Sequence, residues 1–256
     1  MNVSDDPAMD LDQPGFLRSA SLLREEVGDF GAYPFSIPAI RTLDTLELDS
    51  KVTFLVGPNG SGKSTLVEAI AVAAGFNPEG GSQSFNFSTR ASHSVLHDHI
   101  RLTRGVRRPQ RGYFLRAESF FNVASAIDRL EEEQAGLLAA YGGRSLHEQS
   151  HGESFLALVT NRFGPDGLYI LDEPEAALSV PGNLALLKEM HDLAEQGAQF
   201  IVATHSPILM GYPEALIYAL DDEGFHRTAW EDTESYQLTR SFLEGRERFF
   251  RHLFAA

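Results

Sequence analysis

Short runs of consecutive apolar residues alternate along this chain with stretches in which apolar residues recur every three or four positions. The runs are typical of strands buried on both faces of a parallel sheet, and the spaced pattern is typical of helices that cover such a sheet. We predict strands at residues 52–56, 113–115, 167–171, 199–203, 214–220 and 225–230. We predict helices at about 63–74, 182–195, 234–244 and 246–254. The alternation of strands and helices predicts an α/β fold with a mostly parallel central sheet flanked by helices.

Other segments depart from this alternation. The leucines of residues 43–48 alternate with polar residues, as at a sheet edge, and we assign them to an antiparallel β subdomain. Residues 77–90, rich in Gly, Ser and Asn, are predicted to form a loop with one short strand. Helical spacing resumes after the next strand, and we expect a small helical lobe at about 119–163. Residues 1–15 are predicted to be a flexible acidic tail, and residues 1–256 to form a single domain.

Composition narrows the class of protein. The chain has 256 residues, of which 43% are hydrophobic and 22% charged, values typical of an ordinary globular core. No apolar run approaches the ~20 residues that a membrane-spanning helix needs, and the acidic N-terminus does not resemble a signal peptide. Cysteine is absent, which excludes disulfides and thiolate zinc sites and fits a reducing compartment. We therefore expect a cytoplasmic protein without direct membrane insertion.

The net charge of −15 argues against a protein whose whole surface follows a nucleic-acid backbone. Six arginines nevertheless fall within sixteen residues, and they are Arg101, Arg104, Arg107, Arg108, Arg111 and Arg116. This arginine cluster has two interpretations: a solvated charged face that balances the acidic remainder, or a local surface for nucleic acid or an acidic partner.

Nine residues follow the first core strand as a glycine-rich loop, and they are Gly57, Pro58, Asn59, Gly60, Ser61, Gly62, Lys63, Ser64 and Thr65. A strand, a Gly-x4-Gly-Lys-Ser turn and a helix form the context in which backbone N–H groups cradle the phosphates of a nucleotide. The N-terminus of the helix adds partial positive charge at the same place. We expect Lys63 to reach the β- and γ-phosphates and the Ser64 hydroxyl to ligate Mg²⁺.

A second strand delivers two carboxylates at its end. The apolar residues 168–171 lead into Asp172 and Glu173, and open α/β sheets bind ligands at the carboxyl ends of their strands. Asp172 would hold Mg²⁺ directly or through a water ligand, and Glu173 could accept a proton from an attacking water. The alternative is an acidic strand exit of the kind found on many surfaces.

A third apolar strand, residues 200–203, ends in Thr204, His205 and Ser206. The His205 imidazole could sense a γ-phosphate or orient the water near it, because its charge changes close to neutral pH. The alternative is a histidine that only makes local hydrogen bonds.

Taken together, these motifs resemble those of the ABC-type P-loop ATPases, in the branch of SMC-like and RecF-like proteins and closest to small stand-alone bacterial ATPases. Residues 57–65 resemble the Walker A motif and residues 168–172 the Walker B motif. Glu173 then matches the catalytic glutamate, residues 175–179 the D-loop, and His205 the switch histidine.

The family also has a signature that opens a helix between the two Walker motifs. Ser150-His151-Gly152-Glu153 is similar to it, although His151 and Glu153 replace the commoner Gly and Gln. Ser150 can cap a helix whose N–H groups would bind a γ-phosphate together with Gly152. No clear Q-loop glutamine is present, and Glu118 is its candidate replacement. Tyr33 or Phe35 could stack on adenine, though either could equally belong to the core.

The resemblance implies ATP hydrolysis with Mg²⁺ by two heads that associate head to tail around two ATPs, and therefore an ATP-dependent homodimer. It suggests a role in nucleic-acid maintenance or in phage defence with a partner effector. An ATP-switched scaffold for another protein is the alternative. A transporter subunit is the least favoured, because the basic segment that follows the signature in transporters is missing. The lobe is too short for the coiled-coil arms of a long SMC protein.

Two further features have weaker interpretations. His93, His97 and His99 could suggest a metal site, but no acid pair or cysteine accompanies them. Residues 246–254 form a basic, aromatic helix, interpreted as a docking helix that covers the core rather than as a membrane or partner anchor.

Overall fold

The computed structural model describes residues 15–82, 94–118, 120–133 and 145–254, together with Gly136, Leu138 and Gly143. The acidic tail, His93 and all of the 77–90 loop after residue 82 lie outside these described residues.

Strands occupy both the core and a peripheral sheet. They are β1 (Leu17–Leu22), β2 (Thr45–Glu47), β3 (Val52–Val56), β4 (Gly81–Ser82), β5 (Ile100–Arg104), β6 (Arg111–Arg116), β7 (Gly167–Asp172), β8 (Gln199–Ala203), β9 (Leu216–Asp221) and β10 (Gly224–Arg227). The helices are α1 (Pro38–Arg41), α2 (Lys63–Ala74), α3 (Phe120–Glu133), α4 (His151–Arg162), α5 (Val180–Ala194) and α6 (Glu234–Leu253). The predicted core strands and helices agree with these bounds within a few residues, the last strand ending at Arg227 instead of residue 230.

The central sheet has seven strands in the order β10-β9-β3-β8-β7-β6-β4. Its five inner strands run parallel, and the edge strands β10 and β4 pair antiparallel with their neighbours. The carboxyl ends of β3, β7 and β8 therefore lie side by side at one edge of the sheet. This arrangement confirms the predicted α/β fold class with a mostly parallel sheet.

Continuous apolar runs arise here because both faces of the sheet are covered. Along β7, Tyr169 and Leu171 belong to the apolar cluster beneath α3, α4 and α5, whereas Leu168 and Ile170 belong to the cluster that includes α2. Successive side chains of a strand point to opposite faces, so each face takes every second residue of the run.

A second, three-stranded sheet has the order β2-β1-β5 and is antiparallel throughout. It confirms the predicted antiparallel β subdomain, although only β2 was located from the sequence. The side chain of Gln199 attaches this sheet to the central one: its Oε1 accepts from the N–H groups of Phe16 and Leu17, and its Nε2 donates to the carbonyls of Leu17 and Asp49.

The C-terminal helix differs from its predicted role. Gly245 has non-helical dihedral angles inside α6 (φ −150°, ψ 44°), which separates the two helices predicted around it. No residue of α6 is buried, so the interpretation of a docking helix that covers the core is wrong.

None of the helices in the described ranges is long and apolar enough to cross a bilayer. The same residues contain no group of three potential metal-ligating side chains. His97 and His99 instead contact the backbone carbonyls of Ser94 and Val95 through Nδ1. The single-domain assignment and the helical lobe at 119–163 stay predictions.

Candidate active site

Three loops meet where β3, β7 and β8 end. The backbone joins them directly, since the Glu173 N–H donates to the Ala203 carbonyl at 2.9 Å and the Thr204 N–H donates to the Leu55 carbonyl at 3.1 Å. The sequence motifs of residues 57–65, 172–173 and 204–206 are therefore neighbours in space.

The glycine-rich loop needs glycine at two positions for steric reasons. At Gly57 (φ 145°) a Cβ atom would lie 2.1 Å from the Leu220 carbonyl oxygen, and at Gly62 (φ 98°) it would lie 2.9 Å from Ile37 Cγ2. Side chains are also rarely compatible with such dihedral angles. Glycine at these two positions therefore permits the conformation that the loop adopts.

Lys63 is buried at the first turn of α2. Its Nζ donates to the carbonyls of Gly57 at 3.0 Å and Pro58 at 2.9 Å, so the ammonium lies inside the curl of the loop. Burial lowers the pKa of Lys63, and the nearby carboxylates of Glu173 and Asp172 oppose this shift. A cation in this position is suited to anionic oxygens brought into the loop.

Asp172 is the buried last residue of β7, and its Oδ1 has no hydrogen-bond partner among the described residues. Burial raises its pKa to about 6, against the opposing effects of Arg116 and of a hydrogen bond from Ser64. An orphaned carboxylate oxygen beside a serine hydroxyl is a donor set of hard oxygens, which Mg²⁺ prefers. These residues therefore fit a magnesium ion.

Arg116 is a site residue that sequence reasoning counted only as part of the arginine cluster. Its Nη1 donates to Glu68 Oε2 at 2.6 Å, and its Nε lies 3.5 Å from Asp172 Oδ2. The sequence contains one indication of this role: Arg116 ends the apolar strand β6 just as Asp172 ends β7.

Glu173 and His205 face each other across the loop ends, with Oε1 and Nε2 3.6 Å apart. Glu173 has left-handed dihedral angles (φ 50°, ψ 50°), a conformation that non-glycine residues rarely adopt and that clusters at functional sites. The structure thus brings together the two side chains that the sequence predicted as base and as γ-phosphate sensor.

These loops border a cavity of about 230 Å³. It is lined by Tyr33, Ile37, Asn59, Gly60, Gly62, Lys63, Ser64, Thr65 and Glu173. Of the other loop residues predicted to bind nucleotide, Pro58 accepts the lysine bond described above through its carbonyl. Ser61 is buried, and its hydroxyl is unpaired among the described residues.

The signature residues lie elsewhere. Ser150 caps α4 in a capping box, accepting from the Glu153 N–H while Glu153 Oε2 accepts from the Ser150 N–H at 3.0 Å. The Ser150 hydroxyl also donates to Glu153 Oε2 at 2.7 Å, and this bond, together with the bond from the Ser150 N–H, lowers the pKa of Glu153. Neither Ser150 nor Gly152 lines the cavity. Gly152 packs against the turn that follows β7, where an added Cβ would lie 3.2 Å from the Ala177 carbonyl.

The structure separates the candidates that the sequence left open. Tyr33 is 67% exposed at the cavity rim, whereas Phe35 is buried and packs edge-on against Phe30 and His99. The Glu118 side chain is 87% exposed and does not line the cavity.

Comparison with known proteins agrees with this site. Residues 30–132 match a family described as an AAA domain. The chain is 28% identical over 187 residues to the hemin import ATP-binding protein HmuV of Agrobacterium fabrum, covering 64% of this chain and 70% of that protein. It is 27% identical over 173 residues to the ABC transporter G family member STR2 of Medicago truncatula, covering 61% of this chain but only 24% of that protein.

Among solved structures, the SMC head domain from Thermotoga maritima aligns with a TM-score of 0.45 at 17% identity, over 84% of this chain and 98% of that one. The AAA-domain match and the ATP-binding relatives confirm the predicted resemblance to ABC-type P-loop ATPases, and they indicate ATP hydrolysis.

Proposed function

We propose that this chain, an ABC-type P-loop ATPase, binds Mg²⁺-ATP on the loop after β3 and hydrolyses it with Glu173 as the general base. One observation carries the proposal: Lys63, Asp172 and Glu173 converge where three neighbouring strands end. Chemistry on a phosphate anhydride needs a cation for the phosphates, oxygen ligands for a metal and an acceptor for the proton of water.

The phosphates would lie in the curl of residues 57–63, where Lys63 Nζ exchanges the carbonyls of Gly57 and Pro58 for phosphate oxygens. Ser64 and Asp172 would hold Mg²⁺. When bound, the ion supplies positive charge against the negative charge of the phosphates. Tyr33 is our candidate for adenine stacking, because it is the exposed aromatic residue at the rim.

Glu173 would accept a proton from water as the water oxygen bonds to the γ-phosphorus. The bond from that phosphorus to the bridging oxygen breaks, and the products are ADP and inorganic phosphate. His205 faces the Glu173 carboxylate at 3.6 Å and would hold it in orientation.

We further propose that two copies pair head to tail around two ATPs. Support comes from the position of Ser150 and Gly152, which lie outside the cavity of their own chain. A second copy would bring the N-terminus of α4 to the γ-phosphate, where its N–H groups can stabilise developing charge.

The experiment is light scattering of Glu173→Gln with Mg²⁺-ATP, with Glu189→Gln as a control on α5. We expect Glu173→Gln to bind ATP, to lose hydrolysis and to accumulate as a dimer, whereas Glu189→Gln turns over normally. A species that stays monomeric at every concentration would remove the head-to-tail pair.

For the biological task we propose nucleic-acid maintenance or phage defence, with nucleic acid or an effector protein as partner. The arginine cluster supports it, because Arg101, Arg104 and Arg108 are exposed. Arg104 also donates to the Ala73 carbonyl at 3.3 Å, and two further members form ion pairs within the chain, Arg107 with Asp166 and Arg116 with Glu68.

A transporter subunit is a second candidate, since HmuV is by name an ATP-binding protein of hemin import. An ATP-switched scaffold is the third. Measuring hydrolysis with added DNA or RNA against salt separates the nucleic-acid role from these two candidates. Stimulation that falls steeply with salt supports a nucleic-acid partner, whereas no response at low salt contradicts it. The predicted cytoplasmic location is to be tested by cell fractionation.

A further inference from the structure

The loop that carries His205 is held by a carboxylate from the segment after Glu173. Glu175 accepts hydrogen bonds from Thr204 Oγ1 at 2.8 Å and from the backbone N–H of His205. Glu175 lies in the short 3-10 helix Pro174–Ala177 and is half-buried. One side chain therefore joins the end of β8 to the turn that follows β7.

The bonds continue into the His205 loop. Thr204 is fully buried, and its Oγ1 also accepts from the Ser206 N–H at 3.0 Å. A chain of bonds thus runs from Ser206 through the Thr204 hydroxyl to Glu175, so the backbone on both sides of His205 depends on one carboxylate.

The Nε2 atom of the His205 imidazole has no comparable support. Its Nε2 is buried without a hydrogen-bond partner among the described residues, and the distance of 3.6 Å to Glu173 Oε1 is beyond a good hydrogen bond. The hydrogen bond that positions this residue is therefore the one from its backbone N–H, which the Glu175 carboxylate accepts.

The Glu175 segment is braced from its other side as well. The Ala177 carbonyl packs against Gly152 at the N-terminus of α4, where an added Cβ would lie only 3.2 Å away. Glu175 can therefore act as a fixed support and not as a mobile surface side chain.

A carboxylate here also has an electrostatic cost. The carboxylates of Asp172, Glu173 and Glu175 all act to raise the pKa of Lys63, against the larger effect of burial. Glu175 is therefore a third negative charge near the site, and it adds repulsion between the carboxylates. Two good donors offset that cost, because hydrogen bonds to an ionised acceptor are about twice as strong as neutral ones.

We propose that Glu175 is a positioning residue that sets where the His205 imidazole stands relative to Glu173. The role rests on the proposed function, since it concerns the geometry of the hydrolytic pair. Glu175 does not line the cavity, so its proposed role requires no contact with the nucleotide.

The test combines hydrogen exchange with kinetics on Glu175→Ala, Glu175→Gln, His205→Ala and the double variant Glu175→Ala/His205→Ala. In the nucleotide-free protein, we expect Glu175→Ala to speed exchange of the His205 amide roughly tenfold, because its acceptor is lost. We expect kcat to fall roughly tenfold to a hundredfold with the Kd for ATP within about twofold, as for a misplaced catalytic group.

Glu175→Gln keeps an acceptor for the His205 N–H and should restore at least half of the lost kcat. The double variant should turn over no more slowly than His205→Ala alone, because both changes remove one function. Asp49→Ala is the matched control: the Asp49 carboxylate also accepts two backbone N–H groups, those of Lys51 and Val52, but at the opposite end of β3. It should lose stability and keep kcat.

Unchanged exchange at His205 in Glu175→Ala would overturn the proposal, as would a double variant that multiplies the two single defects. Failure of the proposed function has a different signature. In that case the wild-type protein does not hydrolyse ATP, or His205→Ala hydrolyses it at the wild-type rate. The exchange measurement on nucleotide-free protein still decides whether Glu175 holds the loop.

Discussion

Arg116 lies against Asp172, with its Nε 3.5 Å from Asp172 Oδ2, and its Nη1 bonds Glu68 on α2 at 2.6 Å. Three ionisable side chains are thus packed under the end of the sheet. Even with this arginine, burial dominates and the Asp172 pKa is raised to about 6.

This raised pKa predicts a pH-dependent stability. The folded state holds the Asp172 proton more tightly than the unfolded chain, so the ionisation penalty is absent below about pH 4 and is fully present above about pH 6. A pKa rise from 3.8 to about 6 corresponds to about 3 kcal/mol. We expect Asp172→Asn to unfold at a higher denaturant concentration than wild type at pH 7, and to lose this advantage at pH 4. Asp192→Asn, changed at an exposed ion pair, should show no such pH dependence. Equal midpoints at pH 7 would contradict the burial argument.

Lys63 is expected to be required for nucleotide binding. Among the described residues that line the cavity, Lys63 is the only side-chain cation. We expect Lys63→Ala to raise the Kd for Mg²⁺-ATP at least about a hundredfold, since charge-assisted contacts to phosphate are strong. Calorimetry measures this directly. Lys188→Ala, at an exposed pair with Asp192, is the control and should bind normally. Uptake of ATP by Lys63→Ala at wild-type affinity would refute the phosphate cradle.

Substitutions at Tyr33 and Phe35 should affect different properties: ATP binding at Tyr33 and the stability of the fold at Phe35. Tyr33→Ala is expected to weaken ATP binding roughly tenfold with little change in unfolding, because base stacking on an aromatic ring contributes about 1–3 kcal/mol. Phe35→Ala should instead cost about 3 kcal/mol of stability, as for other buried phenylalanines. Calorimetry and chemical denaturation on both variants give the comparison. The reverse assignment of effects would exclude Tyr33 as the adenine contact.

The hydrogen bonds of the Gln199 side chain are predicted to contribute strongly to the free energy of unfolding. Gln199→Ala leaves buried backbone groups of Phe16 and Leu17, and the half-buried carbonyl of Asp49, without their side-chain partner. We expect a loss of at least about 2 kcal/mol, because each unsatisfied buried group is costly. Denaturant unfolding measures it, with exposed Gln237→Ala on α6 as the control. A loss below about 0.5 kcal/mol would mean that water replaces these bonds.

The parts of the fold that the sequence predicted share a physical property. β3, β7 and β8 are buried on both faces, so their apolar runs are uninterrupted and their polar ends stand out. β1 and β5 were missed because each is a mixture of small, polar and apolar residues, and because they pair with each other across about eighty residues of chain.

The candidate site shows the same division. Lys63, Asp172, Glu173 and His205 could be found because each follows a recognisable strand. The role of Arg116 depends on its bond to Glu68, and that of Glu175 on bonds from the Thr204 hydroxyl and the His205 N–H. These partners are distant in sequence, so no local pattern predicts the pairings. The exposure of α6 was equally hidden, since an amphipathic pattern does not specify which surface will cover it.

The close approach of Gly57 to Leu220 constrains how the protein can vary. The obstacle to a larger residue at 57 is a carbonyl oxygen, an atom that every amino acid carries. The Leu220 side chain is itself fully buried, and even an exchange at 220 that the core tolerated would open no space at 57. The requirement for glycine at position 57 thus comes from the backbone path of the neighbouring strand β9 and not from the side chains of that strand.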